Sequence, residues 1–207
     1  LVNKYGNISV SNAEATTDIE CKYGKVTLGK LNGSSNQISI QYCQSSSIDY
    51  IKTGNIDAKY SNLKINDSGN LNLNSNYTDV NISDGQNIKA DCNYGTLKFQ
   101  KINSLSGSGN YLTFVIGEIS SNFSYDTNYS KINIGNMTEK AGNVNINSGY
   151  TDISLGYATN YAFDFDISGR YTNIKHDNSL DISVSEVKSN NKRISGFYKK
   201  NSRCNWL

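Results

Sequence analysis

The decapeptide NSNYTDVNIS, residues 74–83, contains the pattern that decides the fold: Tyr77 is followed by apolar residues three and five positions later, Val80 and Ile82. The same kernel recurs along nearly the whole chain, and ten of the 15 tyrosines occupy its first position, 17 to 21 residues apart. These ten are Tyr5, Tyr23, Tyr42, Tyr60, Tyr77, Tyr94, Tyr111, Tyr129, Tyr150 and Tyr171. Self-similarity at such a period is typical of a solenoid.

Each repeat alternates small or apolar residues with polar ones on both sides of the tyrosine, as expected of short strands with one buried face. The alternation slips by one position at the tyrosine, so that the tyrosine and the residue before it both face outward. This slip predicts a corner. A second corner is predicted six positions later, where several repeats carry glycine, a residue that tolerates positive φ. These glycines are Gly29, Gly117, Gly135 and Gly156.

The repeats predict an all-β fold, a single-domain parallel β-solenoid with about ten coils of 17–21 residues. We expect the coils to span residues 1–176, and residues 177–207 to form a cap, a side hairpin or an incomplete last coil. In the stretch QYCQSSSIDYI, residues 41–51, one extra residue shifts Ile48 and Ile51 into the inward positions, which predicts a β-bulge.

Composition excludes several classes of function. The 207-residue chain has a net charge of +2. It lacks a basic run interleaved with aromatic residues, the pattern that would indicate nucleic-acid binding. No segment is apolar over the length needed to span a bilayer. Only 36% of residues are hydrophobic and proline is absent, which suits a thin core surrounded by central strands.

Three of the four cysteines, Cys21, Cys43 and Cys92, fall at inward positions of the repeat. Buried free thiols are one interpretation, and a disulfide between Cys21 and Cys43 on adjacent coils is the other. Neither these residues nor Cys204 has the spacing of a zinc site, so the sequence predicts no metal or cofactor.

Residues for catalysis are few and scattered. His176 is the single histidine, and it stands at the end of the last repeat. The outward carboxylates Asp79 and Asp152 are several coils apart, too far to act as a glycosidase pair. The sequence therefore predicts a protein that is not an enzyme.

The column of tyrosines has two interpretations. Stacked rings would stabilise the corner and fix the register, as aromatic cross-strand pairs do. Alternatively, rings beside the polar residues that precede them would bind sugars, since exposed aromatics favour recognition surfaces. The preceding residues are Lys4, Lys22, Gln41, Lys59, Asn76, Asn93, Asn110, Asn128 and Arg170.

The repeated kernel of tyrosine, a small residue and two alternating apolar residues, with Asn or Lys before it and Gly after it, resembles bacterial adhesin families of unknown function. These include a domain described as an auto-transporter adhesin head. The similarity covers about residues 3–176, and GFYKK, residues 196–200, is similar to the closing region of that family. The resemblance implies a right-handed β-solenoid that is exported to the cell surface, the periplasm or the extracellular space.

The resemblance also implies a non-enzymatic role in adhesion or scaffolding. The chain starts almost on a tyrosine kernel, and we expect an exported protein whose signal segment is absent from this chain. Expected partners are a glycan or a cell-surface protein. A third possibility is end-to-end assembly into a filament through open solenoid ends.

Overall fold

The computed structural model describes residues 1–171, 173–174 and 178–199. In this part of the chain the protein is all-β without helix, and its stacked coils form a single-domain β-solenoid of about nine turns. The predicted fold class is confirmed. Ten tyrosine kernels delimit the turns between them, which is why ten repeats give about nine complete coils.

Strand pairing extends through many of the corners, so that several strands are long. Within the described residues the strands are β1 (Val2–Asn3), β2 (Gly6–Ala13), β3 (Asp18–Lys22), β4 (Gly24–Leu31), β5 (Asn36–Gln41), β6 (Ser46–Lys59), β7 (Asn62–Asn76), β8 (Asp79–Ile119), β9 (Phe123–Asn128), β10 (Lys131–Met137), β11 (Val144–Gly149), β12 (Asp152–Tyr157), β13 (Phe163–Arg170), β14 (Asn173–Ile174), β15 (Asp181–Lys188) and β16 (Asn191–Tyr198).

Two parallel ladders run along the solenoid. The first joins the segments that follow each tyrosine, through β2, β4, β6, β7, β8, β10, β12 and β14. The second joins the segments that precede each tyrosine, through β1, β3, β5, β6, β7, β8, β9, β11 and β13. Equivalent positions of successive repeats are direct partners, for example Leu63 with Val80 and Ile65 with Ile82. Residues one repeat apart therefore lie directly above one another.

The core is one apolar column enclosed by the two ladders. Val80 and Ile82 of the opening decapeptide are 2% and 0% exposed, as their inward positions predict. Aromatic residues enter the column in the later coils, where Phe114 contacts Phe123 and Tyr125 edge to face. Burial of such a column along the stack supplies the stability that a single coil lacks.

The two predicted corners are present, but the backbone forms them differently from the expectation. Positive φ, between 50° and 57°, is found at the kernel tyrosines from Tyr23 to Tyr171 and not at the glycines six positions later. Those glycines are required for close packing instead. A Cβ at Gly117 would lie 2.5 Å from the carbonyl oxygen of Gln100, and one at Gly156 would lie 2.0 Å from that of Gly135.

The predicted bulge is confirmed. Ser45 is the extra residue, with φ of 58°, and the ladder resumes with Ser46 opposite Leu63 and Ile48 opposite Ile65. The insertion leaves Cys43 buried on one side and Ile48 buried on the other.

The sequence left a disulfide between Cys21 and Cys43 open, and the structure contains free thiols instead. Cys21, Cys43 and Cys92 are buried and unbonded, and the Sγ of Cys43 lies 3.3 Å from the carbonyl oxygen of Cys21. Burial raises the pKa of Cys21 and of Cys92 to about 11. These thiols act as small apolar core residues.

A hairpin closes one end of the second ladder. Strand β16 pairs antiparallel with β13 and with β15, and Ile194 lies opposite Ile167. An apolar cavity of about 310 Å³, lined by Ile153, Phe163, Ile194 and their neighbours, lies between the last coil and this hairpin. His176 and Cys204 lie outside the described residues.

Candidate functional site

The ten kernel tyrosines form one continuous stack on a corner of the solenoid. Successive ring centroids are 4.6 to 5.5 Å apart, and the ring planes deviate from parallel by 3° to 15°. The separation follows from the strand spacing of about 4.8 Å in a parallel ladder. We call this stack the tyrosine ladder.

The ladder is exposed, but its ring faces are covered. Nine of the rings are 40% to 51% exposed, whereas Tyr5, at the end of the stack, is 71% exposed. Each inner ring has a neighbour on both faces, so the edges and hydroxyl groups are the parts that point to solvent. The ladder can therefore form hydrogen bonds with a ligand, but its inner rings offer no free face for stacking.

Backbone hydrogen bonds fix the position of each ring. The Tyr60 nitrogen donates to the Asn76 oxygen at 3.0 Å, and the Tyr77 nitrogen donates to the Asn93 oxygen at 3.1 Å. The same bond ties Tyr23, Tyr42, Tyr129 and Tyr150 to the residue that precedes the next tyrosine. The same corner geometry is repeated from coil to coil.

A column of amide side chains runs beside the ladder at the preceding position. The Asn93 Oδ1 accepts from the Asn110 nitrogen at 3.0 Å, and the Asn110 Oδ1 accepts from the backbone nitrogen and from Nδ2 of Asn128, both at 3.1 Å. Part of this amide chemistry therefore connects the coils. The amide oxygens that accept these hydrogen bonds are already in use, so fewer acceptors remain for a ligand than the sequence predicts.

Gly149 interrupts the amide column. A groove of about 710 Å³ opens around it, and polar residues of five coils line its walls. They include Asp126, Asn147, Tyr129, Tyr150 and Arg170. A Cβ at Gly149 would lie 2.6 Å from the Oδ1 of Asn128, so a larger residue here would have to displace the Asn128 side chain. We call this cleft the Gly149 groove.

The phenol groups in the groove are hydrogen-bond donors at neutral pH. Partial removal from water, followed by the neighbouring Tyr171 and Tyr129 phenols, raises the pKa of Tyr150, and the Arg170 guanidinium opposes this effect. A carboxylate, amides, phenols and a guanidinium thus converge on one cleft. Such a combination suits a polyhydroxylated ligand, because it both donates and accepts hydrogen bonds.

The sequence placed all ten tyrosines correctly on one edge, but it did not predict the groove. Gly149, on the wall of the groove, stands where the preceding repeats have Asn, Lys or Gln, and that break in an otherwise polar column is visible in the sequence. The effect of this break depends on the residues that lie above and below Gly149 in the stack, and these are known only from the structure. Asp79 and Asp152, considered as an acid pair, lie in separate repeats of the first ladder.

Among the described residues, no group of three or more His, Cys, Asp or Glu side chains is arranged to hold a metal ion. No helix in the described ranges has the length and apolar character needed to cross a membrane. Comparison of the chain with protein-family models, curated proteins and solved structures found no match. Fold and site together define a β-solenoid with an external aromatic ladder and an adjacent polar groove.

Proposed function

We propose that this protein is a non-enzymatic structural and adhesive module, exposed on a cell surface or secreted, whose rigid stack presents a long polar surface to a partner. The observation that carries the proposal is the unbroken register of the stack, which displays ten tyrosines at nearly constant spacing along one edge. A regular rod of this kind holds many weak binding groups in one line.

Within this proposal, the tyrosine ladder is chiefly structural. An aromatic pair contributes about 0.5–1.5 kcal/mol beyond the area that it buries. Because each inner ring belongs to two pairs, the ladder stabilises the corner of every coil. The faces of the inner rings pack against one another, and only the ring edges and the hydroxyl groups can contact a ligand.

A second candidate function, glycan binding, is favoured by the Gly149 groove. Sugars present closely spaced hydroxyl groups that both donate and accept hydrogen bonds. Asp126 and Asn147 supply acceptors, and the phenols of Tyr129 and Tyr150 supply donors, on the walls of one cleft. Binding at this position would use the ladder's edge and not its faces.

Assembly into filaments is the third candidate, and it has less support. Stacking of one molecule on another would continue both parallel ladders across the junction. At the carboxyl-terminal end of the second ladder, the antiparallel strands β16 and β15 follow β13, and an incoming parallel coil would have to replace them.

The test is retention on immobilised polysaccharides, one panel neutral and one acidic, by the purified chain and by a Gly149→Asn variant. We expect the wild-type chain to bind at least one polysaccharide, and the variant to lose at least tenfold in affinity because the new side chain displaces that of Asn128 on the groove wall. Gln41→Asn is the matched control, since it places the same side chain in the same column far from the groove. Circular dichroism checks that all three proteins are folded.

Two results would contradict the proposal. Failure of the wild-type chain to bind any polysaccharide, or equal binding by the Gly149→Asn variant, would remove the groove from the function. Release of new reducing ends from a bound polysaccharide would show catalysis, and the non-enzymatic assignment would be wrong.

A further inference from the structure

A second, basic groove continues the Gly149 groove across the carboxyl-terminal hairpin. It has a volume of about 340 Å³, and its walls carry Arg170, Lys188, Lys192 and Arg193 together with one carboxylate, Glu186. Three residues, Asn147, Ser148 and Arg170, line both grooves. The two clefts therefore share a wall, and a long ligand can occupy both.

The strand register places Lys188 in line with Arg170. Gly149 is the partner of Arg170, Arg170 is the partner of Asn191, and Asn191 is the partner of Lys188. Paired residues in a sheet point to the same face. The antiparallel hairpin thus extends the outward row of the ladder with Lys188, whereas Lys192 is the partner of Gly169 in the neighbouring row.

Not every cation of this surface has its charge available. Arg193 forms a bidentate pair with Asp166, with Nη2 2.7 Å from Oδ2 and Nε 3.0 Å from Oδ1. The Arg170 guanidinium lies 5.9 Å from the centre of the Tyr171 ring. Within the described ranges, Lys188 and Lys192 form no ion pair, and both are exposed. Their ammonium groups are the cations that an anionic ligand would meet.

The junction of the two grooves contains an unused polar group. The Ser148 side chain is 7% exposed, and its hydroxyl has no hydrogen-bond partner in the described part of the chain. Ser148 is the ladder partner of the buried Gly169, so its side chain points inward from the wall that the two grooves share.

The charge changes sign along this surface. Asp91 and Asp126 line one end of the Gly149 groove, whereas the basic groove follows Arg170 at the other end. The ligand that fits must offer hydroxyl groups to carboxylates and amides at one end and an anionic group to lysines at the other. A glycan that carries acidic groups meets both conditions.

Single-stranded nucleic acid fits less well. Its binding sites combine a positively charged channel with open aromatic faces on which bases stack. In this protein the inner rings of the ladder cover one another, so they offer no open face on which a base could stack.

We propose that the Gly149 groove and the basic groove together form one binding site for an acidic polysaccharide, with its carboxylate or sulfate held at Lys188 and Lys192 and its hydroxyl groups bound between Asn147 and Tyr129. This assignment rests on the proposed glycan-binding function and names its ligand class. Lysine binds either kind of anion as a point charge, so the source of the charge is left to the experiment.

The experiment measures binding of the folded chain to dextran, polygalacturonate, dextran sulfate and poly(dT) at low salt. The variant is Lys188→Gln combined with Lys192→Gln. The matched control is Lys25→Gln combined with Lys64→Gln, which removes the same charge from exposed positions of the first ladder. We expect one acidic polysaccharide to bind at least tenfold more tightly than dextran, with a tenfold loss in the variant and less than a twofold change in the control.

The outcomes separate the two proposals. If none of the polysaccharides binds, both the glycan-binding function and the acidic site fail. If dextran binds as tightly as the acidic polymers and the lysine variant is unaffected, glycan binding stands and the acidic preference is wrong. Equal losses in variant and control would show unspecific charge attraction, and tighter binding of poly(dT) would assign the surface to nucleic acid. Each of these two results overturns the inference.

Discussion

At the scale of single residues, the most informative feature is the backbone of the kernel tyrosines. From Tyr23 to Tyr171 they have positive φ, a conformation that costs a residue with a side chain about 1–2 kcal/mol. Glycine would avoid this cost, but it would provide no ring. Stacking contributes about 0.5–1.5 kcal/mol for each aromatic pair. Nine pairs join the ten rings, so stacking offsets a large part of the backbone cost of the nine strained tyrosines. The tyrosines are therefore favourable because they occur in an uninterrupted column.

Substitution of one inner ring tests this balance. Tyr94 lies 4.6 Å from Tyr77 and 4.8 Å from Tyr111, with φ of 53°. We expect Tyr94→Ala to lower the free energy of unfolding by about 1–3 kcal/mol, because it loses both ring contacts and keeps the strained backbone. Tyr94→Gly should lose about 1 kcal/mol less, since glycine tolerates this φ. Urea denaturation measures both values.

The control for this series is Tyr5→Ala, at the end of the ladder. Tyr5 has a single ring neighbour, Tyr23 at 5.5 Å, and it is not among the residues with positive φ. Its loss should be smaller than that of Tyr94→Ala. Equal effects at both positions, or a glycine variant less stable than the alanine variant, would contradict the proposed balance.

The buried thiols predict how stability depends on pH. Burial raises the pKa of Cys92 from 9.0 to about 11. Above about pH 9 the unfolded chain therefore releases a proton that the folded chain retains, and the free energy of unfolding must fall as the pH rises from about 9 towards 11. Burial raises the pKa of Tyr161 to about 12, which extends the loss to higher pH. Urea denaturation at intervals between pH 7 and pH 10.5 measures the slope.

A Cys92→Ala variant identifies the group responsible. Alanine has no proton to release, and so the alkaline slope should become shallower in this variant, although Cys21 keeps a part of it. Parallel pH profiles for the variant and the wild-type chain would show that the Cys92 thiol does not cause the loss.

At the scale of strands and corners, sequence periodicity predicted which residues face the core, because a period of two is visible in one repeat. It located the corners but not their mechanism. The glycines after the kernel are required by backbones that approach within van der Waals distance, and the tyrosines adopt the positive φ. Close approach between coils involves residues that are distant in the sequence, and a local pattern therefore could not reveal it.

Gly107 and Tyr125 are a second example of a contact between coils that a local sequence pattern does not reveal. They are ladder partners, and the Tyr125 hydroxyl lies 2.9 Å from the Ala90 oxygen and 3.1 Å from the Ser108 oxygen. A Cβ at Gly107 would lie 1.9 Å from the Ala90 oxygen. The missing side chain of one coil thus makes room for a buried phenol of the next.

At the scale of the whole molecule, order comes from contacts between successive coils. The equivalent positions of neighbouring repeats are paired through most of the chain, as in β6 with β7 and β7 with β8. The free energy of unfolding of such a stack is close to a sum of contributions from the coils and from the interfaces between them. The number of coils can therefore change, whereas the register between neighbouring coils must be kept.

Removal of one complete coil tests this description. Deletion of residues 61–77 joins Tyr60 to Thr78 and preserves the kernel, and the Thr78 hydroxyl can replace that of Ser61, which accepts from the Cys43 nitrogen. We expect a folded β protein that unfolds cooperatively with a melting temperature a few degrees lower. Circular dichroism during heating measures both properties.

The control deletion removes residues 61–69, half of the same coil. It shifts every later residue out of register, and we expect a chain that does not fold. A full-coil deletion that also fails to fold, or a half-coil deletion that melts like the wild-type chain, would refute a stack of interchangeable layers.

The tyrosine ladder also gives the molecule an optical property. Chromophores held parallel and almost touching exchange their excitation, so light absorbed at one end can be emitted from another, with its polarisation largely retained. Any break in the column interrupts this migration at a known coil. Intrinsic phenol emission therefore reports, without a label, how many consecutive layers of the rod are intact.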